Sequence, residues 1–443
     1  MRRVRRPTGG LWSHPDFLKL WTGQSISELG SQVSQLAIPW LAAVGLHASP
    51  IAFSLIGVLG FLPFVLFALP AGVWVDRLRR RQILIVGDAA RAVLLALIPI
   101  LWAIGVLRIW ELLLLQFVIG VFTVFFDVAY QSYLPALIER DDLVDGNSKL
   151  QLTVSIAQVG GPSLSGALIG AITAPYAILA DSVSFVISAV FMVRMRHREN
   201  LPRQDADEPK PKMWPQVKEG LAWVLGTRTL RAIAGCTGSS NFFGQFAFSI
   251  LILYAVRVLH LSAFELGAVF AVGSIGSIAG ALFANRLQQR LGVGNAIVFT
   301  SIFFSTAGLA FPLAPRSFPL PVLMAGMAVF GASAVAYNII QVSYRQAITP
   351  ERLQGRMNAA MRWIVWGTIP LGTIAGGAVA QAFSLKDALW VGAIGGVPTF
   401  LWVVLSPLRS IRTMPQPVTD EIPVLPGGLV EGTPMPEPAA TDA

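Results

Sequence analysis

Five charged residues stand inside long apolar stretches of this 443-residue chain: Glu28, Asp88, Arg91, Asp127 and Asp181. An ionisable group is costly in an apolar surround, so such residues face a protein interior, pair with one another and mark routes for protons, ions or polar solutes. Glu28 lies about 11 residues into its stretch, which at about 1.5 Å per residue puts it near the middle of a membrane-thick helix. A carboxyl group there can take up a proton or the positive charge of a cationic substrate. The plainer alternative is a Glu hydrogen-bonded to a neighbouring helix. Asp127, nearer one end of its stretch, is a second proton-site candidate, set against a structural role beside a loop. Asp88 and Arg91 are three apart, share a helix face and predict an ion pair. Asp181 is expected within about two turns of its helix end, close enough to reach water.

Other chemistries find no support. The one cysteine, Cys236, excludes a disulfide within the chain and a thiolate metal cluster. His14, His47, His197 and His260 are scattered, so no metal centre and no cofactor is expected. There is no HExxH, no nucleophile elbow and no GxxxxGK[ST] phosphate loop, which argues against an enzyme and against an ATP-driven pump.

The elements that position the five charges are membrane helices. Hydrophobic residues make up 54% of the chain, charged residues 13%, and the mean hydropathy is +0.64. A soluble domain is about a quarter charged. Stretches of about 20 apolar residues recur twelve times. They predict an all-α integral membrane protein with six-helix bundles at 17–195 and 229–406, a cytoplasmic N-terminus at 1–16, a central cytoplasmic loop at 196–228 and a disordered Pro-rich tail at 407–443. The net charge of +9 reflects this topology rather than nucleic-acid binding. Only Arg108, Arg257, Arg316 and Lys386 fall in odd-numbered loops, Arg91 lies within the third helix, and the other Lys and Arg cluster on the opposite side. Excess positive charge stays inside, so both termini are predicted cytoplasmic, in the cell (inner) membrane.

The chain also repeats itself. Gly72-Val-Trp-Val-Asp76-Arg77-Leu-Arg79-Arg80-Arg81 follows the second apolar stretch, and Ala281-Leu-Phe-Ala-Asn285-Arg286-Leu-Gln-Gln-Arg290 follows the second stretch of the other half. Internal repeats of membrane helices characterise secondary transporters. Two such halves with a GxxxDRxxRR loop resemble the major facilitator superfamily over residues ~10–410, the extent of the twelve spans. Gly72, Asp76, Arg77, Arg80 and Arg81 carry that resemblance, and Arg79 stands where the family has a second glycine. On the fifth helix, Gly161-Pro162-Ser-Leu-Ser165-Gly166 resembles the GPxxGG motif of drug/proton antiporters, with Ser165 for one glycine. Residues 125–137 and 355–372 look like the subgroup of macrolide-efflux and siderophore-export proteins. Such antiporters usually carry an arginine four residues before a glycine on the fourth helix; here Gln116 precedes Gly120.

The resemblance implies two pseudo-symmetric halves that rock about a midplane site, and export of amphiphilic small molecules coupled to protons by a monomer in the lipid bilayer. It makes Gly72 a packing point and Asp76 a latch against the positive end of a helix in the other half. It places helices 1, 4, 7 and 10 around a cavity, for which the polar and aromatic candidates on these helices and helix 11 are Gln32, Gln35, Tyr130, Asn241, Gln245, Asn338, Gln341, Trp363 and Trp366. The alternative within the superfamily is an importer or a lipid-handling transporter. Residue types do not name the substrate.

Overall fold

The computed structural model describes residues 10–75, 78–139, 142–196 and 213–415. In hydrocarbon every backbone N–H and C=O must be satisfied within its own segment, so the apolar stretches coil as helices. The first half contains α1 (Pro15–Trp40), α2 (Pro50–Val75), α3 (Arg80–Ala103), α4 (Ile109–Leu137), α5 (Leu143–Ile172) and α6 (Ala174–Val193). A connecting helix α7 (Met213–Gly226) leads to the second half. That half contains α8 (Arg228–Arg257), α9 (Ala263–Leu291), α10 (Val293–Ala307) with the short α11 (Ala310–Leu313), α12 (Pro319–Ala347), α13 (Glu351–Ala382), and α14 (Leu385–Gly396) continued by α15 (Leu401–Val404).

Eleven segments among the described residues are long and apolar enough to cross a membrane. α1 is of similar length but carries Asp16, Lys19 and Glu28. It packs against α5 and α6 and completes the twelve. The protein is thus an all-α membrane protein of two six-helix halves.

Three sequence-based boundaries need correction. Residues 196–228 are not simply a loop, because α7 occupies much of them. Leu221 and Val224, three apart, turn one face of α7 toward the core of the second half, while Glu219 pairs with Arg356 and, at 3.6 Å, with Arg352. The tail does not begin as free chain either. The Val293 and Gly294 N–H groups donate to the carbonyls of Arg412 and Ile411 at 3.1 and 2.8 Å, docking residues 407–412 on α10. Finally, Arg345, Arg352, Arg356 and Arg362 lie on α12 and α13 rather than in a loop between them.

The ends of the two halves behave differently. Arg81 donates to the Met192 and Val193 carbonyls at the C-terminus of α6, and the Arg196 N–H donates to Asp16 at the start of α1. These contacts gather the ends nearest the chain termini, called here the terminal end. Its apolar core is split in two, one cluster built from the first half (Leu20, Leu84, Tyr133, Met192) and another from the second (Leu230, Ile297, Tyr344, Met357). At the opposite, far end a single core runs through both halves, from Leu36 and Phe53 to Ile250, Leu266 and Leu389. The halves meet where α5 crosses α9 and where α2 crosses α13. Gly377 on α13 seats its backbone on Ser54 of α2, where a Cβ would lie 2.4 Å from the Ser54 hydroxyl. The molecule is therefore sealed at the far end and divided at the terminal end.

Arg257, at the end of α8, donates across the seal to the Ala43 and Ala48 carbonyls at 3.2 and 2.8 Å. A hydrogen bond from a charged donor contributes about 1.5–3 kcal/mol. Arg257→Gln is expected to loosen the far end and raise thiol labelling of a Ser54→Cys reporter, now 1% exposed, by on the order of tenfold. The native Cys236 is buried and should stay silent.

Candidate functional site

Arg91 falls midway along α3 and is the centre of a charged cluster inside the first half. Its guanidinium reaches Asp88, one turn back, at 2.5 Å. Its Nε donates to the Gly87 carbonyl at 3.3 Å. The rings of Phe126 on α4 and Phe185 on α6 cover its two faces, 4.1 and 4.2 Å from the guanidinium carbon. A desolvated cation between aromatic faces gains about 2 kcal/mol from the ring quadrupoles. Arg91 is only 6% exposed and Asp88 fully covered.

Two further carboxylates lie close to this pair, and a third, Glu28, lies close to those two. Asp127 and Asp181 act electrostatically on Arg91, and Glu28 acts on both Asp127 and Asp181. Asp181 does not reach water as its position in the sequence suggested. It is 2% exposed, because α1 approaches α6 at Gly30, directly over Asp181 and Ser184. The Ser184 hydroxyl donates to Asp181 at 3.1 Å. Glu28 and Asp127 are half-buried, and Gln32 donates to Glu28 at 3.3 Å. Tyr130 stacks on Phe126 with centroids 6.0 Å apart and feels both Glu28 and Asp127. Four helices thus bring one arginine and four carboxylates to membrane depth. Spacing revealed the pair; the contribution of Asp181 depends on a rotation of α6 that hydropathy does not encode.

The fifth-helix motif is a junction of three helices. A Cβ on Gly161 would lie 2.4 Å from Gln32 of α1, and one on Gly166 would lie 2.5 Å from the Ala263 carbonyl of α9. Gly267 of α9 returns the contact against the Pro162 carbonyl. Ser165, the departure from the glycine pattern, donates to the Gln32 carbonyl at 2.8 Å. Ser274 of α9 donates to the Gln158 carbonyl at 2.7 Å and extends the crossing toward mid-helix. The motif therefore ties α1, α5 and α9 together and forms half of the far-end seal.

The remaining sites divide. Gln32 is buried under Gly161, and Gln341 is 2% exposed and donates to Asn338 at 2.9 Å, so neither presents an open polar surface here. Asn241 donates to the Val365 carbonyl at 3.3 Å; it and Gln245 are half-buried. Gln35 and Asn338 are exposed. Trp366 meets Phe61 of the other half edge-on at 6.1 Å, at the limit of the seal, and Trp363 one turn nearer the terminal end is 70% exposed. Arg362 lies over Trp366 at 5.5 Å; counting it as a loop charge hid it. Among the described residues, nothing lies within 4 Å of where a Cβ on Gly72 would stand. Asp76 and Arg77 lie outside the described residues. Arg80 donates to the Ser132 carbonyl at 3.2 Å and, with Arg81, binds α3 to its neighbours within the same half.

A family of transmembrane secretion effectors matches residues 11–424. The chain belongs to this family of the major facilitator superfamily. Macrolide efflux protein A of Streptococcus pyogenes is 24% identical over 406 residues, covering 90% of this chain and 97% of that protein. The multidrug efflux pump Tap of Mycobacterium tuberculosis is 26% identical over 432 residues, covering 91% and 96%. Among solved structures, a bacterial homologue of the iron transporter ferroportin in its inward-facing state superimposes with a TM-score of 0.67 at 16% identity, covering 89% of this chain and 98% of that one. A mutant of the nucleoside transporter NupG gives 0.69 at 14% identity, covering 89% and 99%. The family and these relatives are membrane transporters and not enzymes, as the missing catalytic motifs implied.

Removing one partner of a buried ion pair leaves an uncompensated charge and costs about 3–5 kcal/mol. Asp88→Asn and Arg91→Met are each expected to lower thermal stability in detergent by that order. The double variant should lose clearly less than the two single losses together, and a double-mutant cycle measures the coupling.

Proposed function

We propose that this transporter exports amphiphilic small molecules in exchange for protons, by alternating exposure of a site between its two halves. The carrying observation is the excess of carboxylates around Arg91. One guanidinium balances one of four acids, so in a dry state the others need protons or a cationic substrate. Glu28 and Asp127, the half-buried members, are the ones that exchange with the space between the halves. Asp88 and Asp181 are the fixed partners. Arg91 supplies, from α3, the buried positive charge that comparable antiporters place on the fourth helix, where Gln116 stands here.

The positive-inside rule assigns the divided terminal end to the cytoplasm. A substrate entering there meets Trp363 and Trp366 on one side and Tyr130, Gln35 and Glu28 on the other. Its cationic group would take the place of a proton on the Glu28 carboxyl. Rocking of the halves then opens the α5–α9 and α2–α13 crossings and closes the terminal end, where Asp76 would engage the other half. Protons arriving from outside reload Glu28 and release the substrate. The names of the efflux relatives support this direction, as does the helix-5 junction.

Dye or macrolide efflux from energised cells tests the reading. Wild-type efflux should collapse with a protonophore, and Glu28→Gln should reduce it by about tenfold or more, the equivalent of one charge interaction of about 1.4 kcal/mol. Efflux that survives both treatments would overturn proton coupling through Glu28. Independently, Gly166→Leu overpacks the crossing against the α9 backbone, at about 1–3 kcal/mol. It should reduce efflux while leaving the amount of protein in the membrane unchanged on an immunoblot.

A further inference from the structure

We infer that the second half carries a binding site for an anionic phospholipid at its terminal end, outside the transport path. The site is an open recess of about 890 Å³ between the start of α8 and the end of the last span, lined by Arg228, Arg231, Leu401, Trp402, Leu405 and Arg409. That is the size of a site for a substantial ligand.

The fold builds this recess. The last span is interrupted: α14 gives way at Gly396 to a 3₁₀ turn at Val397–Phe400 containing Pro398, α15 lasts four residues, and Pro407 follows. The last span and the turn at Pro407–Ser410 stay in contact with α8, and the recess opens between them and its first turn. Its walls are held. Trp402 is pressed on Gly235 of α8, where a Cβ would lie 2.6 Å from the indole. Arg231 donates to the Leu225 carbonyl at 3.2 Å. Docking of Ile411 and Arg412 on α10 fixes the segment that carries Arg409.

The lining has two chemistries. Arg228, Arg231 and Arg409 have no carboxylate partner within 4 Å among the described residues. Guanidinium groups suit phosphate because their planar donors can bind it in pairs. Beside them, Leu405 is 81% exposed and Trp402 52% exposed. An aqueous anion has no use for that apolar wall, whereas a glycerophospholipid places its phosphate on the arginines and its acyl chains along Leu401, Trp402 and Leu405. Basic pockets on the cytoplasmic side of membrane proteins hold anionic headgroups in this way. The inference rests on the terminal end facing the cytoplasmic leaflet and is independent of the direction of transport.

The test is the thermal stability of the purified full-length protein titrated with phosphatidylglycerol or phosphatidylcholine. Phosphatidylglycerol should stabilise it and phosphatidylcholine should not. The triple variant Arg228→Gln, Arg231→Gln, Arg409→Gln should bind phosphatidylglycerol on the order of a hundredfold more weakly, about fivefold per arginine. Its melting temperature without lipid serves as the folding control. Should that variant not fold, Leu405→Gln at the exposed wall must still weaken the phosphatidylglycerol response. Equal stabilisation by glycerol 1-phosphate would overturn the assignment to a lipid. So would an unchanged phosphatidylglycerol response in the triple variant. A lipid response appearing only after Asp420, Glu421 and Glu431 are neutralised would overturn it too, by making the acidic tail of this chain the occupant.

Discussion

Two crossings where a glycine brings helices into close contact hold this transporter together. In hydrocarbon the hydrophobic effect does not drive one helix onto another, so contact must come from close packing and from a few polar bonds. At the α5–α9 crossing, Gly166 and Gly267 allow main chains to touch, and Ser274 adds a bond to the Gln158 carbonyl. At the α2–α13 crossing the main chain of Gly377 instead admits the Ser54 side chain. Neither crossing buries a salt bridge, and each depends on a shape that one added methyl would spoil. Such contacts are firm when closed and leave no unpaired charge when opened. That is the requirement for a surface meant to separate.

The charges are kept away from these crossings. Arg91 and its carboxylates lie within the first half, on α1, α3, α4 and α6, so the strongest electrostatic interactions hold one half rigid and leave the seam weak. Phe126 and Phe185 exclude water from the guanidinium, and the same Phe126 stacks on Tyr130. A change of charge on Glu28 or Asp127 is therefore felt by residues that pack between helices. The second half has no counterpart. Its described acids Glu265, Glu351 and Asp387 sit in the first turns of their helices, and Glu219 lies on the connecting α7; farther along its helices stand amides, hydroxyls, aromatics and Arg362. The two halves share a repeat and divide the chemistry.

Much of this was legible from residue order. Apolar stretches predicted the helices, the duplicated basic loop predicted two halves, and the spacing of Asp88 and Arg91 predicted their pair. The glycines of the helix-5 motif lie where α5 approaches α1 and α9. One cause of what failed is the rotation of each helix about its axis. Gln32 and Gln341 look like cavity residues by type, yet one sits beneath Gly161 and the other is covered. Asp181 looked close to water, yet α1 covers it. Hydropathy sums over a whole turn and loses this information. A second cause is that amphipathic or interrupted helices resemble loops, which hid α7, left Arg362 counted as a topological charge, and concealed the broken final span.

Ser165 shows how a departure from a family pattern can be informative. A glycine there would let α5 approach α1 as closely, but it would remove the cross-helix donor that the Gln32 carbonyl gains beyond its own helical bond. Gln32 is also the residue that donates to Glu28. The serine therefore links the seam to the acid through one residue. Its hydroxyl holds the backbone of Gln32, the Gln32 side chain holds the Glu28 carboxylate, and Gly161 presses on the Cβ between them. A movement of α5 against α9 must pass through α1 at the residue that orients Glu28. This is a physical route by which opening the far end alters the setting of a titratable group, and it runs over three adjoining contacts.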